Sequence, residues 1–510
     1  MSTVLQEAPT AQRTNRTGGA WAAVYALALF EARRLLTRIP MLLALAAYLA
    51  WIVWRTPGFE DGSPALQDAD RNTQSGPLLI GLAVLLCANA AVLRSKRRDT
   101  ERHFAVLVLE PWRRTAAHLL SVVPAALLAA VCVAGQFGWA ALQSGSVGSG
   151  SPAELMVGPL TVLLSGAAGV LIARLIPSTL TAPMAIVLLF FFLLFFAGTV
   201  PAGDGERGLR WLVPVVTEST TNALPSDLIG RPAAWHALYL AGLALTLALL
   251  AVLAGGGRAW TLWGAVAGAL ALALTGGIAQ TAALPATLTA ARERATHTPE
   301  KDQTCVRRGG STYCAFPEWT PRTDTWAGAV DHIKSLAGGT AHDRQFLVRQ
   351  RIDATYGLAG DAAIETSTTP YQVTVGTAWG GNRVPEFSAA VAAVLVAGSE
   401  QKTNALCDGR MVTVMWLALS WQPDPMQSLR NVRLDDSVTG SAIVLSTTDP
   451  MQMTAGQTDV VRELLQKPHG SVAARVKAHW AELTAPKVTS AQAAELLGVA
   501  APKGADKCGE

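Results

Sequence analysis

Residues Pro183–Val200 read PMAIVLLFFFLLFFAGTV, a run without any ionisable side chain. A helix needs about 20 mainly apolar residues to cross the ~30 Å hydrocarbon core of a bilayer. Similar runs recur through the first 283 residues, so the sequence predicts seven membrane-spanning helices. The predicted spans are Ile39–Trp54, Pro77–Leu93, His118–Trp139, Met156–Leu175, Pro183–Val200, Ala234–Leu253 and Trp260–Ala283.

The composition of the 510 residues agrees with a membrane protein, since 50% are apolar, 15% are charged and the mean hydropathy is +0.30. A soluble chain usually carries about 25% charged residues. The predicted fold class is an all-α polytopic membrane bundle, followed over residues 284–510 by a mainly α, some β domain. In that domain Tyr371–Thr377 and Arg410–Trp416 are predicted strands. Positive and negative charges nearly balance there, which argues against a nucleic-acid partner.

Loop charges predict the orientation of the bundle. If the N-terminus (residues 1–20, predicted disordered) lies in the cytoplasm, fourteen Lys and Arg residues fall inside and five fall outside. Short cytoplasmic loops carry an excess of Lys and Arg. Seven spans from an inside start predict a multi-pass protein of the cytoplasmic membrane with an extracytoplasmic C-terminal domain.

The cysteines test this orientation by a separate route. Four of the six, Cys305, Cys314, Cys407 and Cys508, follow the last predicted span. An even number of cysteines in an exported domain indicates disulfides. Four cysteines allow three pairings; we favour Cys305–Cys314 with Cys407–Cys508, and four free thiols are the alternative.

Residues 21–38, before the first span, have the pattern of an interfacial helix. Glu31, Arg34 and Arg38 share one helical face, and apolar side chains cover the others. Such a helix lies well in the headgroup plane. Pro40 then favours a turn and the first turn of a new helix. The prediction is an elbow helix, and the alternative is a single tilted helix from residue 21 to residue 54.

Residues 94–117 form the longest predicted cytoplasmic loop. It opens with basic residues, continues through Thr100 and Glu101 to the apolar stretch Phe104–Leu109, and closes with Glu110-Pro111-Trp112. A short helix presented to the cytoplasm fits this pattern. A basic anchor with amphipathic stems is the alternative.

Two stretches carry a resemblance to a known family. The elbow with its Glu-x-Arg-Arg (Glu31 to Arg34), a span, an outside loop, a long span and the basic loop resemble the start of an ABC-2 type permease. The run Pro232–His236 at the start of the sixth span is similar to the last core helix of actinobacterial members. The chain departs from the family at Asp99, where Gly is frequent, and in its seventh span and outer domain.

The resemblance covers residues 20–255 and implies a six-span permease domain over residues 39–255, with the seventh helix at 260–283 as an addition. It also implies ATP-driven export of an unidentified substrate. A separate cytoplasmic ABC ATPase would use ATP and Mg²⁺, and a second permease chain, identical or homologous, would complete the pathway. The residues implied to couple to the ATPase are Glu31, Arg34, Thr100, Glu101, Glu110 and Pro111.

The predicted spans contain few polar or ionisable side chains. Asn89, His118 and Gln136 are their notable polar residues, too few for a proton pathway. Asn89 is predicted to make an interhelical hydrogen bond. Motifs of the form GxxxxGK[ST], HExxH or GxSxG do not occur, so no catalytic residue, bound cofactor or metal is predicted. The alternative function is a membrane-anchored extracytoplasmic binding or sensing protein without transport activity.

Overall fold

The computed structural model describes residues 16–55, 64–97, 110–199, 208–216, 224–354, 364–376, 384–433, 442–446, 448 and 450–502. Long apolar helices dominate the first half of the chain. They are α1 (Arg16–Leu36), α2 (Ile39–Arg55), α3 (Leu66–Asn72), α4 (Ser75–Arg97), α5 (Pro111–Leu120), α6 (Val123–Ala141), α7 (Pro152–Leu175), α8 (Thr181–Thr199), the short α9 (Ser226–Ile229), α10 (Ala233–Ala254) and α11 (Trp260–Thr281).

Five helical segments are long and apolar enough to cross a membrane, and a sixth is added if α1 and α2 count as one broken span. The five are 66–94, 111–141, 152–175, 233–254 and 260–297. The Phe-rich helix α8 is apolar over Thr181–Phe195 but shorter. The first half of the chain is therefore a helical bundle with five or six candidate membrane spans, as a multi-pass membrane protein requires, while the count of seven spans stays a prediction.

The bend between α1 and α2 excludes one long tilted helix. The two axes differ by 59° across a break of two residues. Pro40 lies in the first turn of α2, where its missing N–H costs no hydrogen bond. The elbow begins earlier than predicted: residues 16–20, assigned to a disordered N-terminus, already belong to α1. The two glycines there do not prevent a helix, because each costs only about 1 kcal/mol relative to alanine.

Small residues bring the bundle helices close together. A side chain at Gly169 of α7 would collide with the backbone of Leu85 in α4, and one at Gly242 of α10 with Ala273 of α11. Close backbone approach at small residues is how helices pack in membranes. Helix α11, the seventh predicted span, therefore packs directly against α10.

The C-terminal domain begins with α12 (Ala286–His297) and is built on one four-stranded sheet, β1 (Thr304–Arg308), β2 (Ser311–Ala315), β3 (Leu347–Gln350) and β4 (Gln372–Val375), in that order. The first pair is antiparallel and the other two pairs are parallel. Its larger helices are α13 (Thr323–Leu336), α14 (Val384–Ala397), α16 (Arg410–Leu419), α17 (Pro425–Val432), α18 (Ala455–Gln466), α19 (His469–Ala478) and α21 (Ser490–Leu497). The short α15 (Glu400–Thr403), β5 (Ala442–Val444), β6 (Met451–Met453) and α20 (Trp480–Leu483) lie between them.

One secondary-structure prediction in this domain was wrong. Residues Arg410–Trp416, predicted as a strand, form the first turns of helix α16. All side chains from Met411 to Leu419 are buried. A run that is buried on every side has no periodicity by which a strand could be told from a helix. The predicted strand at Tyr371–Thr377 is confirmed as β4.

The cysteines follow the prediction where the structure describes them. Cys305 of β1 and Cys314 of β2 are cross-strand partners and form a disulfide. Cys407 is also disulfide-bonded, and Cys508 lies outside the described residues. Cys87 and Cys132, in the bundle, are free thiols.

Candidate functional site at the elbow end

One end of the bundle, which we call the elbow end, is formed by α1, α5 and the last turns of α4. Val24 and Ala28 of α1 pack on Ala117 of α5 in a small apolar cluster. The rings of Trp21 and Trp112 meet edge to face, with their centroids 6.1 Å apart. The elbow and residues 110–117 at the close of the 94–117 segment therefore form one unit.

A bidentate ion pair ties this unit to the bundle. The two Nη atoms of Arg94, in α4, donate to the two carboxylate oxygens of Glu31, in α1, at 3.0 and 3.1 Å. Glu31 is buried, so this charge-assisted pair is worth more than an exposed one. Glu31 was predicted to couple to an ATPase. Its carboxylate is occupied inside the chain, so any effect on a partner runs through the position of α1.

Glu110 and Pro111 stand at the exposed start of α5. Pro111 occupies the first helical position. The Glu110 carboxylate accepts a hydrogen bond from Trp112 Nε1 and lies 3.4 Å from Arg113 Nε. Arg113 in turn lies over the Trp112 ring, 5.2 Å from its centroid. These side chains form a polar and aromatic corner that a partner could contact directly.

The remaining predicted coupling residues are less informative. Arg34 is half-buried on α1. Thr100 and Glu101 lie outside the described residues. Tyr25, Leu29 and Phe30 of α1 are exposed, as an interfacial helix requires.

Two hydrogen bonds inside the bundle join α4 to its neighbours. The side-chain amide of Asn89 donates to the carbonyl of Gly169 at 3.2 Å, which confirms the predicted interhelical hydrogen bond. Arg38 donates to the carbonyl of Cys87 at 3.1 Å and thus joins the start of α2 to α4. Both contacts fix helix positions.

The opposite end of the bundle, which we call the domain end, carries a charged network that was not predicted from the sequence. It is formed by α3, the loop around Ser149, the first turn of α7 and residues 208–216 and 224–232. Arg71 Nη1 donates to Glu154 at 3.0 Å, and Gln74 donates to the same carboxylate oxygen. Both Arg71 and Glu154 are buried, with side chains only 7% and 2% exposed.

Asp70 and Arg231 extend this network. The backbone N–H of Ser151 donates to Asp70 at 2.7 Å, and Arg231 lies 3.7 Å from the other oxygen of Asp70. Arg71 also lies over the ring of Trp211, 4.9 Å from its centroid. Two acidic and two basic side chains are thus buried together. Arg71 and Arg231 are two of the five charges predicted in outside loops, and the fourth predicted span begins after Glu154. Glu154, a single acidic residue beside an apolar run, was the sequence feature that could have indicated this network.

Among the described residues, no three His, Cys, Asp or Glu side chains are grouped so that they could hold a metal ion. Comparison with known proteins found no matching family model, no matching curated protein and no matching solved structure.

Proposed function

We propose that this chain is the membrane subunit of an ABC-2 type exporter, which moves an unidentified substrate with ATP hydrolysed by a separate cytoplasmic protein. The observation that carries the proposal is the packing of helices at the elbow end. There α1 and α5 are packed together and joined to α4 through Glu31 and Arg94. These segments flank the loop that the family resemblance assigns to ATPase contact.

The contacts give a route by which a movement could reach the bundle. A partner pressing on Glu110 and Arg113 displaces the start of α5. The Trp21–Trp112 contact and the apolar cluster transmit that displacement to α1. The Glu31–Arg94 pair then passes it to α4, and Arg38 adds a second link. Packed interfaces of this kind shift between discrete arrangements.

Seven crossings with the N-terminus inside are part of the proposal. The elbow end and the C-terminal domain lie at opposite ends of the bundle, which an odd number of crossings produces. The Cys305–Cys314 disulfide favours an oxidising compartment for the domain. Exposed apolar residues along α8, such as Leu188, Phe190 and Phe191, suit contact with lipid or a second permease chain.

The test is purification of the tagged full chain from its own membranes, followed by assay of ATP hydrolysis. We expect a P-loop ATPase to co-elute. Glu110→Arg should release it without changing the elution of the chain, because the site is exposed. The control Glu293→Arg, an exposed acid of α12 paired with His297, should retain the ATPase. An ATPase-free chain, or full retention by Glu110→Arg, contradicts the proposal.

The alternative of a binding or sensing protein is favoured by one observation: the C-terminal domain shares a hydrophobic core with loops of the bundle. A ligand bound to the domain could act on the bundle through that core. A folded chain that carries no ATPase, but whose bundle changes when the domain is removed, would support this function.

A further inference from the structure

Residues 224–231, which we call the strap, belong to the bundle and contact the C-terminal domain. The strap contains the short helix α9 and leads into α10. The side chains of Leu224, Leu228 and Ile229 are buried in the same hydrophobic core as Trp319 and Trp326 of the domain. A loop of the bundle thus supplies part of the domain's core.

The domain also holds the strap by hydrogen bonds at both ends of α9. Glu318 accepts from the backbone N–H and the hydroxyl of Ser226, at 2.9 and 3.1 Å. Arg292 of α12 donates through Nε to the carbonyl of Leu228 at 2.8 Å and through Nη2 to that of Ile229 at 2.7 Å. Hydrogen bonds that involve a charged group are the strong ones. Arg292 is only 4% exposed, so water competes little.

On its other side the strap holds the ends of the bundle helices together. The side-chain amide of Gln67 in α3 donates to the carbonyl of Leu224 at 2.9 Å. Ser149, in the loop before α7, donates to the hydroxyl of Ser226 at 3.2 Å. Arg231 donates to the carbonyl of Gln67 and faces Asp70. The strap thus connects the domain to the buried network of Asp70, Arg71 and Glu154.

These contacts make the position of the domain and the closure of the domain end interdependent. If the domain moves away and the strap moves with it, Gln67, Ser149 and Arg231 lose their partners. If the strap stays behind, Leu224, Leu228 and Ile229 lose their apolar cover. Either movement disturbs the groups that keep water from the first turns of α4 and α7.

We propose that the C-terminal domain, acting through the strap, controls whether the domain end of the bundle is closed to water. The docked domain, as in this structure, holds that end closed; a displaced domain opens it. This inference goes beyond the proposed function and stands whether or not an ATPase drives the bundle, because the control lies wholly within the chain.

The test is thiol labelling of the full chain in lipid nanodiscs, with Cys87 and Cys132 replaced by alanine. Val157→Cys is the reporter, since Val157 is fully buried one turn after Glu154 in α7. We expect the reporter to be protected from a charged maleimide in the otherwise native chain. In Arg292→Leu it should react about tenfold faster or more, since tenfold requires about 1.4 kcal/mol and lost hydrogen bonds to a charged group supply that much.

Two controls separate local opening from unfolding. Arg294→Leu changes a neighbouring arginine of the same helix whose side chain is 48% exposed, and it should leave the reporter protected. A second reporter, Ala117→Cys, sits fully buried at the elbow end and should stay protected in every variant. The milder Glu318→Gln should expose Val157→Cys less than Arg292→Leu does, in the same direction.

The proposal is overturned if Val157→Cys stays protected in both Arg292→Leu and Glu318→Gln. It is also overturned if both reporters become reactive together in Glu318→Gln, because the contact would then maintain the whole fold and not one end. Selective exposure of Val157→Cys supports it. Since the readout is labelling, it is independent of whether an ATPase co-purifies.

Discussion

The two ends of the bundle are held together by different means. At the elbow end, α1 contacts α5 through a small apolar cluster and α4 through a bidentate ion pair, and the start of α5 is exposed. At the domain end, four charged side chains are buried and the strap is enclosed by a folded domain. An end that must bind and release a partner needs exposed contacts. Buried charges and an enclosed strap instead suit an end that stays closed to water.

The largest expected effect follows from breaking the buried pair at the domain end. Glu154→Met leaves Arg71 buried without its carboxylate, and removing one partner of a buried pair typically costs about 3–5 kcal/mol. The double change Arg71→Met, Glu154→Met should recover much of that loss, because neither charge is then stranded. The free energy of unfolding in detergent, measured for the native chain and both variants, checks both statements. A single variant as stable as the native chain would show that the network is not buried.

Next in size is the loss of apolar cover on the strap. Leu228→Ala should destabilise the chain by about 2–5 kcal/mol, the usual range for a buried leucine. Leu209→Ala, at a leucine that is 64% exposed, is the matched control and should change stability by less than about 0.5 kcal/mol. Thermal unfolding of the two variants checks both expected changes in stability. Equal effects would mean that the domain does not cover the strap.

A smaller effect is expected at the elbow end. The Glu31–Arg94 pair is only partly buried, with side chains 7% and 19% exposed. A double-mutant cycle with Glu31→Gln and Arg94→Gln should give a coupling energy of about 1–3 kcal/mol, typical of hydrogen bonds to charged groups. The exposed pair of Asp459 and Arg462 should give less than about 1 kcal/mol in the same measurement. A coupling near zero for the first pair would remove the link between α1 and α4.

The smallest change in stability is expected at Glu110. Its carboxylate is 53% exposed, so Glu110→Ala should alter the free energy of unfolding by no more than about 1 kcal/mol. Binding of the ATPase should nevertheless weaken, because this corner is where we place the contact. Parallel measurement of the melting temperature and of ATPase retention separates the two effects. A large fall in the free energy of unfolding with unchanged ATPase retention would show that Glu110 stabilises the fold and does not contact the ATPase.

Sequence patterns predict the helices well because hydropathy over some twenty residues averages out local detail. The elbow, α4 and α10 follow directly from apolar runs and from Pro40. Helix α16 could not be separated from a strand, since all its sides are buried. The sheet order depends on contacts between distant strands, and no local pattern encodes them.

The functional residues also differ in whether the sequence alone could reveal them. Glu110 and Pro111 could be found because they are consecutive and start a helix. The ion pair of Glu31 with Arg94 joins residues 63 positions apart, and that of Arg71 with Glu154 joins residues 83 apart. Single charges near apolar runs show that partners are needed, but the partner becomes visible only when the helices are assembled.

The most direct test of the account is photo-crosslinking in intact membranes with p-benzoylphenylalanine at two exposed positions. One is Pro111 at the elbow end, exposed beside Glu110, and the other is Leu142, which is 85% exposed after α6 at the domain end. We predict an adduct that contains a P-loop ATPase from Pro111 and not from Leu142. An ATPase adduct from Leu142 alone, or none from Pro111 in a correctly folded chain, would contradict the assignment of the elbow end as the ATPase-binding face.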